Sequence, residues 1–575
     1  MIKLYINDEI PITYLTTGEY PLSSALPYSR IRQLQATDNV KIVLDAGTYL
    51  LTEAMQFHCN LTIIGAPGVT IKIEITDADG PGSAPSFMHN DNYYLGCAGN
   101  ADHEVDILLK DIQLEFSDNH TYPFLPGSGH GSHTCIKLKH TKNLHLDNVK
   151  ISTDHDCINN VMIYDSHNVI VENCHLYNTH EIKTEGYQYH DIGGNLWFVG
   201  NNYDVVVRNN RFYKEGNDEA LGIYGQGERP EGDYDFRRNI RVEGNTFEYG
   251  SLEGASVPCD TLITIQSSAS QRPIRFDNIT FDGNHFIIND LVKNLFWLII
   301  QNPLTRVHDT VFSSNLIELN GFQAANASIN IFHLGCASQA QDAEISIEHN
   351  RLISSCSVDA SSTATAFSGL HFLSQQGGKA IIRHNTISIQ NVDDETYIAN
   401  PTEDTHRITL LYRNGYNAST DIIGNNANGL ATLVRIASPS GESVSDRIIT
   451  SELRIIGNTL IGCTRISAQL TDQLCVTMHH NIIKSNSYYY GFLNKANFSS
   501  ISYCHNRVRL APRPNESGGY SSISGVFYST NNDPAATIEQ IRLVGNTVTG
   551  RTNQLEHSLA PVYGIEVRDN EYINE

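Results

Sequence analysis

Hydrophobic residues recur along this chain in a fixed frame around one asparagine. Segments 239–247 and 278–286 read Asn-Ile-Arg-Val-Glu-Gly-Asn-Thr-Phe and Asn-Ile-Thr-Phe-Asp-Gly-Asn-His-Phe, with apolar and polar positions alternating on both sides of the second Asn. This period of two is typical of β-strands that bury one face. The motif therefore predicts two short strands joined by a bend. The frame is centred on the following residues: Asn210, Asn245, Asn284, Asn315, Asn350, Asn385, Asn425, Asn458, Asn481, Asn506, Asn546 and Asn570.

The spacing of the motif predicts the architecture. Successive copies lie about 23 to 40 residues apart, and the longer intervals contain a third apolar strand, as at 262–265 and 296–300. Three strands per repeat and a loop of variable length predict an all-β fold, a right-handed single-stranded parallel β-helix. An α-solenoid would need an apolar period of 3.6, which the repeats lack.

The bend in each repeat has its own signature. Asn tolerates left-handed backbone angles and bonds through its side chain, so we expect stacked asparagines to form a ladder. Gly244 and Gly283, directly before the Asn, suit a tight corner.

The first residues are less regular than the repeats. Ser23 to Gln35 predicts a short amphipathic helix that caps the core, with Leu26, Ile31 and Leu34 pointing inward. We therefore divide the chain into an N-terminal cap or attachment segment, 1–38, and a parallel β-helix, 39–575.

Composition and charge narrow the function classes. The chain is 40% hydrophobic with a formal net charge of −24, which disfavours nucleic acid and anionic membranes as partners. It contains no apolar run long enough to span a membrane and no recognisable signal peptide. We expect a virion tail or extracellular location reached by another route, with a cytoplasmic location as the alternative. The 11 Cys include no CxxC pair, and residues such as Cys157 and Cys174 are interpreted as reduced core residues.

Acidic and imidazole side chains concentrate between residues 130 and 235, on segments that precede apolar strands. Equivalent positions on adjacent coils of a β-helix lie about 5 Å apart, so side chains some 30 residues apart in sequence can face one sugar. Two carboxylates at about 5 to 9.5 Å can cleave a glycosidic bond, and a nearby His or Lys can act as the base of a lyase or epimerase. The predicted catalytic residues are Asp154, Asp156, His180, Glu181, Asp218 and Glu219, and the predicted substrate-binding residues are His155, Lys183, Glu185, Tyr189, His190, Asp191 and Tyr224.

Simpler interpretations exist for parts of this group. A single Asp at a β-helix corner, such as Asp154 or Asp218, is more often a turn former. Aromatic residues of the same region can stack on sugars, although Trp197 and Phe198 also suit the core. The polar loop 225–236 interrupts the coil as the wall of a cleft would. No calcium-loop motif is present, so we predict no metal or cofactor and keep Ca²⁺ as a minor alternative.

Two stretches carry a resemblance to a known superfamily. Residues 40–51 contain a strand followed by Gly47-Thr48-Tyr49, and residues 61–69 contain Gly65-Ala66-Pro67-Gly68. These resemble the opening coils of the pectate-lyase-like β-helix superfamily, which implies the fold and leaves the reaction open.

A shorter run resembles the polygalacturonase family. Segment 154–158 is similar to the family's Asp-Asp-Cys-Ile run, which implies that Asp156 matches its second catalytic Asp and His180 its His. Here His155 replaces the first Asp and Glu181 replaces the Gly that follows the His.

Three functions follow from these observations. The first is a phage tailspike-like protein that binds and cleaves a surface polysaccharide by carboxylate acid/base chemistry, with a homotrimer and virion tail components as expected partners. The second is a bacterial hydrolase, lyase or epimerase that is not on a virion. The third is a non-enzymatic structural or adhesive rod. We expect a polysaccharide-degrading enzyme, with glycoside hydrolysis favoured over lyase chemistry.

Overall fold

A computed structural model gives the coordinates of the protein in two compact units, Met1–Val292 and Lys293–Glu575, called here unit 1 and unit 2. Both consist of short β-strands in the same repeating order. The structure describes the chain apart from the following residues: 8, 10–11, 15–19, 23–27, 32, 75–92, 101, 120–132, 154–157, 180–193, 217–218, 251–258, 269–270, 322, 325–328, 337–341, 356, 359–369, 390–407, 415–417, 438–450, 463, 465, 469–473, 486–491, 495–497, 511–526, 530–537, 551–555, 558–561 and 574–575.

Each coil contributes one strand to each of three faces, called here faces I, II and III. A strand pairs in parallel with the strands of the coils before and after it, as Val161 does with Leu196 on face I and Leu144 with Val169 on face II. Connections between parallel strands that always wind the same way generate a helix of sheets. The predicted right-handed parallel β-helix is therefore confirmed in each unit.

The strands of unit 1 follow this order. Face I contains Met55–Phe57, Tyr93–Ala98, His133–Lys139, Ile158–Tyr164, Leu196–Val199, Leu221–Tyr224 and Cys259–Ser267. Face II contains Ile2–Ile6, Ile12–Tyr14, Asn39–Leu44, Asn60–Gly65, Val105–Lys110, Thr141–Asp147, His167–Glu172, Asn202–Arg208, Asp235–Glu243 and Ile274–Asp282. Face III contains Tyr20–Pro21, Gly47–Leu51, Val69–Ile73, Gln113–Phe116, Lys150–Thr153, His175–Asn178, Arg211–Lys214, Thr246–Tyr249 and His285–Ile288.

Unit 2 repeats the arrangement. Face I contains Val292–Ile300, Ile329–Cys336, Leu370–Gln375, Ile408–Asn414, Ile466–Ala468, Phe492–Asn494, Phe527–Ser529 and Glu556–His557. Face II contains Arg306–Ser313, Ala343–Glu348, Gly378–Arg383, Ala418–Ile423, Ser451–Ile456, Leu474–His479, Phe498–Cys504, Ile538–Val544 and Val562–Arg568. Face III contains Leu316–Leu319, Arg351–Ser354, Thr386–Ile389, Thr459–Gly462, Ile482–Ser485, Arg507–Leu510, Thr547–Thr549 and Glu571–Ile573. Asn426–Ala437 runs through faces III and I, and Gln323–Ala324 pairs with Ser357–Val358.

The core is formed by alternate side chains of every strand, as the period of two predicts. Equivalent residues of successive coils stack on one another: the Phe212 and Phe247 rings lie 4.5 Å apart, and those of Phe247 and Phe286 lie 4.9 Å apart. All three rings are fully buried. Burying such a side chain stabilises the fold by about 1.5 to 3 kcal/mol.

The asparagine ladder is also present. In unit 1 the Asn210 side-chain amide donates to Oδ1 of Asn245 at 2.9 Å, and Asn245 donates to Asn284 at 3.0 Å. In unit 2 the same bond runs from each motif Asn to the next, from Asn315 to Asn570.

One detail of the bend differs from the expectation. The ladder residue is not the one with left-handed backbone angles. That conformation falls on the preceding residue, with φ of 63° at both Gly244 and Gly283 and 56° at His349. The ladder Asn follows this corner, so its side chain takes no part in the turn and bonds to the Asn of the next coil.

The N-terminal residues cover the first coil. Ile2–Ile6 pairs antiparallel with Asn39–Leu44. Among the described residues, the range predicted as a helix contains the helical segment Tyr28–Ile31, with Ile31 fully buried as predicted and Leu34 half-buried. Leu26 lies outside the described residues, and the boundary at residue 38 stays a prediction.

The described cysteines lie in or at the edge of the core as free thiols. Eight Cys within the described ranges are free thiols, seven of them buried and Cys475 half-buried, as expected for reduced core residues. Burial raises the pKa of the Cys174 thiol to about 12, which keeps it protonated and inert. Cys157 lies outside the described part. None of the helices in that part is long and apolar enough to cross a membrane.

Candidate functional site

The segments predicted to carry the site occupy one kind of turn. Residues 154–157, 180–193 and 217–218 each connect a face III strand to a face I strand, on three consecutive coils of unit 1. The strands that enter these turns are in register, because Thr153 pairs with Asn178 and Asn178 with Lys214. The strands that leave them are also in register along face I. The three turns therefore begin and end at neighbouring positions.

Most of the predicted side chains belong to these turns and lie outside the described residues, so their roles stay predictions. Glu219 and Tyr224 are described. Glu219 is half-buried two residues before Leu221–Tyr224, and its carbonyl accepts a hydrogen bond from the backbone amide of Asn195 at 3.2 Å. The residues outside the description are Asp154, His155, Asp156, His180, Glu181, Lys183, Glu185, Tyr189, His190, Asp191 and Asp218.

Two asparagines hold the turns closed where face I begins. The Asn160 side-chain amide donates to the carbonyl of Tyr177 at 3.1 Å. The Asn195 amide, one coil later, donates to the carbonyls of Leu176 at 2.7 Å and Tyr213 at 3.2 Å. Both asparagines are fully buried. They attach the start of each face I strand to the face III strands, which fixes the two ends of each intervening segment.

An aromatic patch covers the outer side of face I next to these turns. We define it as Met162, Tyr164, Trp197, Val199 and Tyr224. The Trp197 and Tyr224 rings meet edge to face at 5.2 Å, and on the preceding coil the Lys137 ammonium lies 5.4 Å from the centre of the Tyr164 ring. Aromatic and cationic groups in this arrangement suit the apolar faces and hydroxyl groups of sugars.

Two glycines make room for Trp197. A Cβ at Gly194 would lie 2.1 Å from Trp197 Nε1, and a Cβ at Gly222 would lie 2.4 Å from the Tyr224 ring. No side chain fits at either position while the rings stay in place. The orientation of the patch therefore depends on residues that carry no side chain.

A second cluster lies at the corner between faces I and II. His140, Asp165, Gly200 and Gly225 occupy this corner on consecutive coils, all with left-handed backbone angles between 44° and 81°. Each of the first three donates its backbone amide to the following coil, from His140 to Tyr164, Asp165 to Val199 and Gly200 to Tyr224, at 3.1 Å.

The corner cluster, defined as Lys139, His140, Asp165 and Glu228, joins this corner to the loop 225–236. His140 is buried, and its Nε2 lies 2.9 Å from Glu228 Oε2. Lys139 also donates to Glu228, whose own backbone amide donates to Asp165 Oδ2 at 3.2 Å. Asp165 Oδ1 accepts the Asn201 amide at 2.7 Å.

The two carboxyls of the cluster differ in acidity. Burial raises the pKa of Asp165 above its usual value. Burial also raises the pKa of Glu228, but the bonds from Lys139 and His140 outweigh it and the net shift is downward. Since Asp165 is buried and bonded to backbone amides, it anchors the loop. The carboxylate of Glu228 is 51% exposed and is the member that a ligand can reach.

Arg237 holds the base of the same loop. Its guanidinium is fully buried and donates to the carbonyls of Tyr224 at 3.1 Å, Gly225 at 2.5 Å and Phe236 at 2.9 Å. Burial lowers its pKa to about 10, against the opposing effect of Asp235 and Asp165. The loop 225–236, predicted to be a cleft wall, is thus a fixed part of the coil.

Two described clusters bring three metal-binding residue types together. They are His140, Asp165 and Glu228, and His145, Asp147 and Glu172. Ca²⁺ prefers six to eight oxygen ligands. Each cluster offers a histidine and two carboxylates. Lys139 bonds to Glu228 in the first cluster, and Arg208 bonds to Glu172 and Lys110 to Asp147 in the second. Neither donor set fits Ca²⁺.

The corner cluster was not identified from sequence. Its members are separated by up to 89 residues, and only the loop 225–236 drew attention. The sequence carries one signal of this corner, because a polar residue or a glycine directly follows each of four face I strands. These residues are His140, Asp165, Gly200 and Gly225.

Comparisons with known proteins add little on the reaction. No protein-family model and no curated protein matches the chain. Among solved structures, the chain is similar to a PL6 alginate lyase in complex with a trisaccharide, with 12% identity over 92% of this chain and 84% of the other and a TM-score of 0.37. It is also similar to a mannuronic acid specific polysaccharide family 6 lyase from human gut microbiota, with 11% identity over 86% and 87% of the two chains and a TM-score of 0.31. The fold described above rests on the strand pairing of this chain alone.

Proposed function

We propose that the protein degrades a polysaccharide that lies along the outer side of face I in unit 1. The observation that carries the proposal is the aromatic patch beside the turns with the predicted acids, where Met162 and Trp197 share one register position of face I and Tyr164, Val199 and Tyr224 share another. Trp197 is buried, whereas Tyr164 and Tyr224, two coils apart, are half-buried and are the rings that a glycan can contact. Strands of neighbouring coils lie about 4.8 Å apart, so these two rings are spaced along the direction in which a linear glycan would lie.

The chemistry would come from the turns between faces III and I. We assign Asp156 and Glu219 as the pair that shares acid and base or nucleophile roles in glycoside cleavage, since two carboxylates on nearby coils suit that reaction. His180 and Lys183 are the candidates for a base if the reaction is an elimination. Carboxylates outnumber the bases among the predicted residues, which favours hydrolysis.

Chain cleavage is the decisive experiment. The protein is incubated with a panel of neutral and acidic bacterial polysaccharides, and released oligosaccharides are separated by size. Hydrolysis gives new reducing ends alone, whereas elimination also gives an unsaturated uronide that absorbs near 235 nm, as expected from its conjugated double bond. Intact polysaccharide under all conditions would contradict the proposal.

Variants test the assignment of the site. Asp156→Asn and Glu219→Gln are each expected to lower the rate by about a hundredfold or more, because a group that transfers the proton is lost. Glu344→Gln is the matched control, since Glu344 pairs with Lys379 on an exposed face of unit 2. Unchanged cleavage rates in both site variants would show that the catalytic site lies elsewhere.

We further propose that the protein works as a tailspike-like homotrimer on a virion. Light scattering tests the oligomeric state, and the expected result is three times the mass of the monomer. Purified particles probed with an antibody against the chain test the second. A monomer absent from particles would leave the cellular enzyme as the remaining candidate.

A further inference from the structure

A groove lies on the outer side of face II in unit 1 and encloses about 630 Å³. Its lining comes from five consecutive coils, whose face II strands pair in parallel from Asn39–Leu44 to His167–Glu172. Since strands of neighbouring coils lie about 4.8 Å apart, the lined stretch is about 19 Å long. The groove is open to solvent, because Lys41, Asn143 and Asn168 in its lining are exposed. It lies on a different face from the aromatic patch.

One row of the lining consists of amide side chains that bond to one another between coils. Asn60 donates to Asn39 Oδ1 at 3.0 Å, and Asn143 donates to Asp106 Oδ1 at 2.7 Å. Asn168 donates to Asn143 Oδ1 at 3.4 Å. Each of these amides has two N–H groups, so one bond to the preceding coil leaves a donor for a ligand. The bonds along the row also hold the amides in fixed orientations, which lowers the entropy cost of binding.

A second row of the lining is partly apolar. Leu108, His145 and Ile170 share one register position on three consecutive coils, and all three are half-buried. The ring of His145 is held by Glu172, whose Oε1 lies 2.8 Å from Nε2. Apolar side chains beside a few fixed polar groups are typical of sites for small organic ligands. They suit a sugar, which has C–H groups on its faces and hydroxyl groups at its edge.

The charges of the groove are nearly balanced. Its lining contains one ammonium group, Lys41, and one carboxylate, Asp106, which lies 3.6 Å from the ammonium of Lys142. The whole chain, in contrast, has a formal net charge of −24. A polyanion would find no excess of cations here and a polycation no excess of carboxylates, so the groove favours an uncharged ligand.

The backbone of the groove is not available to a ligand. Its strands are paired on both sides with the coils before and after them, as Ile107 is with Leu61 and with Leu144. An extended peptide therefore has no free strand edge to which it could add. Recognition must use the side chains, which repeat from coil to coil.

We propose that this groove binds an uncharged linear glycan. Amides on neighbouring coils recur about every 4.8 Å, which is close to the advance of one sugar residue along an extended chain, so successive sugars meet equivalent donors. About four sugar residues fill the lined stretch. The groove is then a second point of attachment for the glycan of the proposed function, and the ligand class rests on that function.

The Ile170 methyl group reports binding directly, because Ile170 lines the groove. The full chain is labelled with ¹³C in the isoleucine methyl groups, and Ile170→Val assigns the signal. The uncharged probes are cellohexaose, mannohexaose, xylohexaose and maltohexaose, and the anionic probe is hexagalacturonate. We expect a saturable shift of the Ile170 signal with at least one uncharged probe and no shift with hexagalacturonate.

A double variant, Asn143→Gly with Asn168→Gly, removes two amides of the groove. Both side chains are exposed, and glycine suits the left-handed backbone angles of Asn168, so the fold is retained. We expect affinity to fall by about tenfold or more, as the loss of two hydrogen bonds to the ligand implies. The matched control is Asn239→Gly with Asn278→Gly, because these exposed asparagines bond to each other at 3.0 Å on later coils of face II, outside the groove.

Three results would overturn the proposal. The first is the absence of a shift with all four uncharged hexasaccharides, and the second is a shift with hexagalacturonate alone. The third is equal affinity in the two double variants. None of these measurements depends on glycan cleavage, so failure here leaves the proposed function to its own assay, and a loss of cleavage leaves this binding test intact.

Discussion

At the scale of single residues, the motif asparagines use every polar atom of their side chains. Oδ1 of Asn245 accepts from both the backbone and the side-chain amide of Asn210 at 2.9 Å, while its own amide donates to Val207 and to Asn284. No other side chain of this size has a carbonyl and an NH₂ group in one plane. The repeat therefore selects Asn for its bonding, and the turn conformation falls to the residue before it.

Replacing one ladder residue should be costly. Asn245→Ala removes bonds to two coils and leaves buried backbone groups unpaired, so we expect a loss of about 2 to 4 kcal/mol in the free energy of unfolding. Asn143→Ala is the control, because Asn143 bonds to Asp106 on an exposed face. Urea unfolding measures the free energy of unfolding of both variants. Equal losses would show that a ladder bond contributes no more than a hydrogen bond on an exposed face.

Two buried histidines of unit 2 predict a dependence of stability on pH. Burial lowers the pKa of His333 to about 4, and burial together with the nearby Arg435 and His333 lowers the pKa of His371 to about 3. Since both lie below the ordinary value of 6.5, their contribution is complete above pH 6.5 and is lost as the pH falls toward the folded values.

Each histidine should cost about 1.4 kcal/mol per pH unit in that interval. We expect His371→Gln to flatten the fall in unfolding free energy between pH 6.5 and 4.5 relative to the parent chain. Denaturant titrations at several pH values measure this. An identical slope in the two proteins would contradict the inferred burial.

At the scale of elements, the turns between faces differ in how they are built. The corner between faces II and III repeats one residue pattern, whereas the corner between faces I and II of unit 1 depends on Arg237 and Asp165, drawn from different coils. A buried guanidinium bonded to carbonyls is costly to remove, because its partners stay buried.

Arg237→Met tests this role. The side chain is similar in length but leaves the carbonyls of Tyr224, Gly225 and Phe236 without a donor, so we expect a loss of at least about 3 kcal/mol. Arg241→Met is the control, because Arg241 lies on the same strand and is exposed on face II. Thermal unfolding distinguishes the two variants. A similar stability for both would show that Arg237 does not anchor the loop.

At the scale of the whole molecule, the sequence predicted the fold but only part of the candidate site. The period of two and the ladder Asn recur on every coil from Asn210 to Asn570, so they are visible without coordinates. The corner cluster arises from residues such as His140 and Glu228 that meet only across coils, and loops of irregular length hide that register. The catalytic assignments on the turns between faces III and I stay predictions.

The asparagine ladder has a consequence for how such a chain changes in length. Each joint between coils repeats the same set of bonds, from Asn350 to Asn385 as from Asn385 to Asn425. A gain or loss of one whole coil recreates a joint that already exists, and a gain or loss of residues in a loop leaves the joint intact, as the spacing of about 23 to 40 residues between motifs shows. A change that displaces a ladder Asn breaks the stack, so we expect this protein to gain or lose length as whole coils or within its loops.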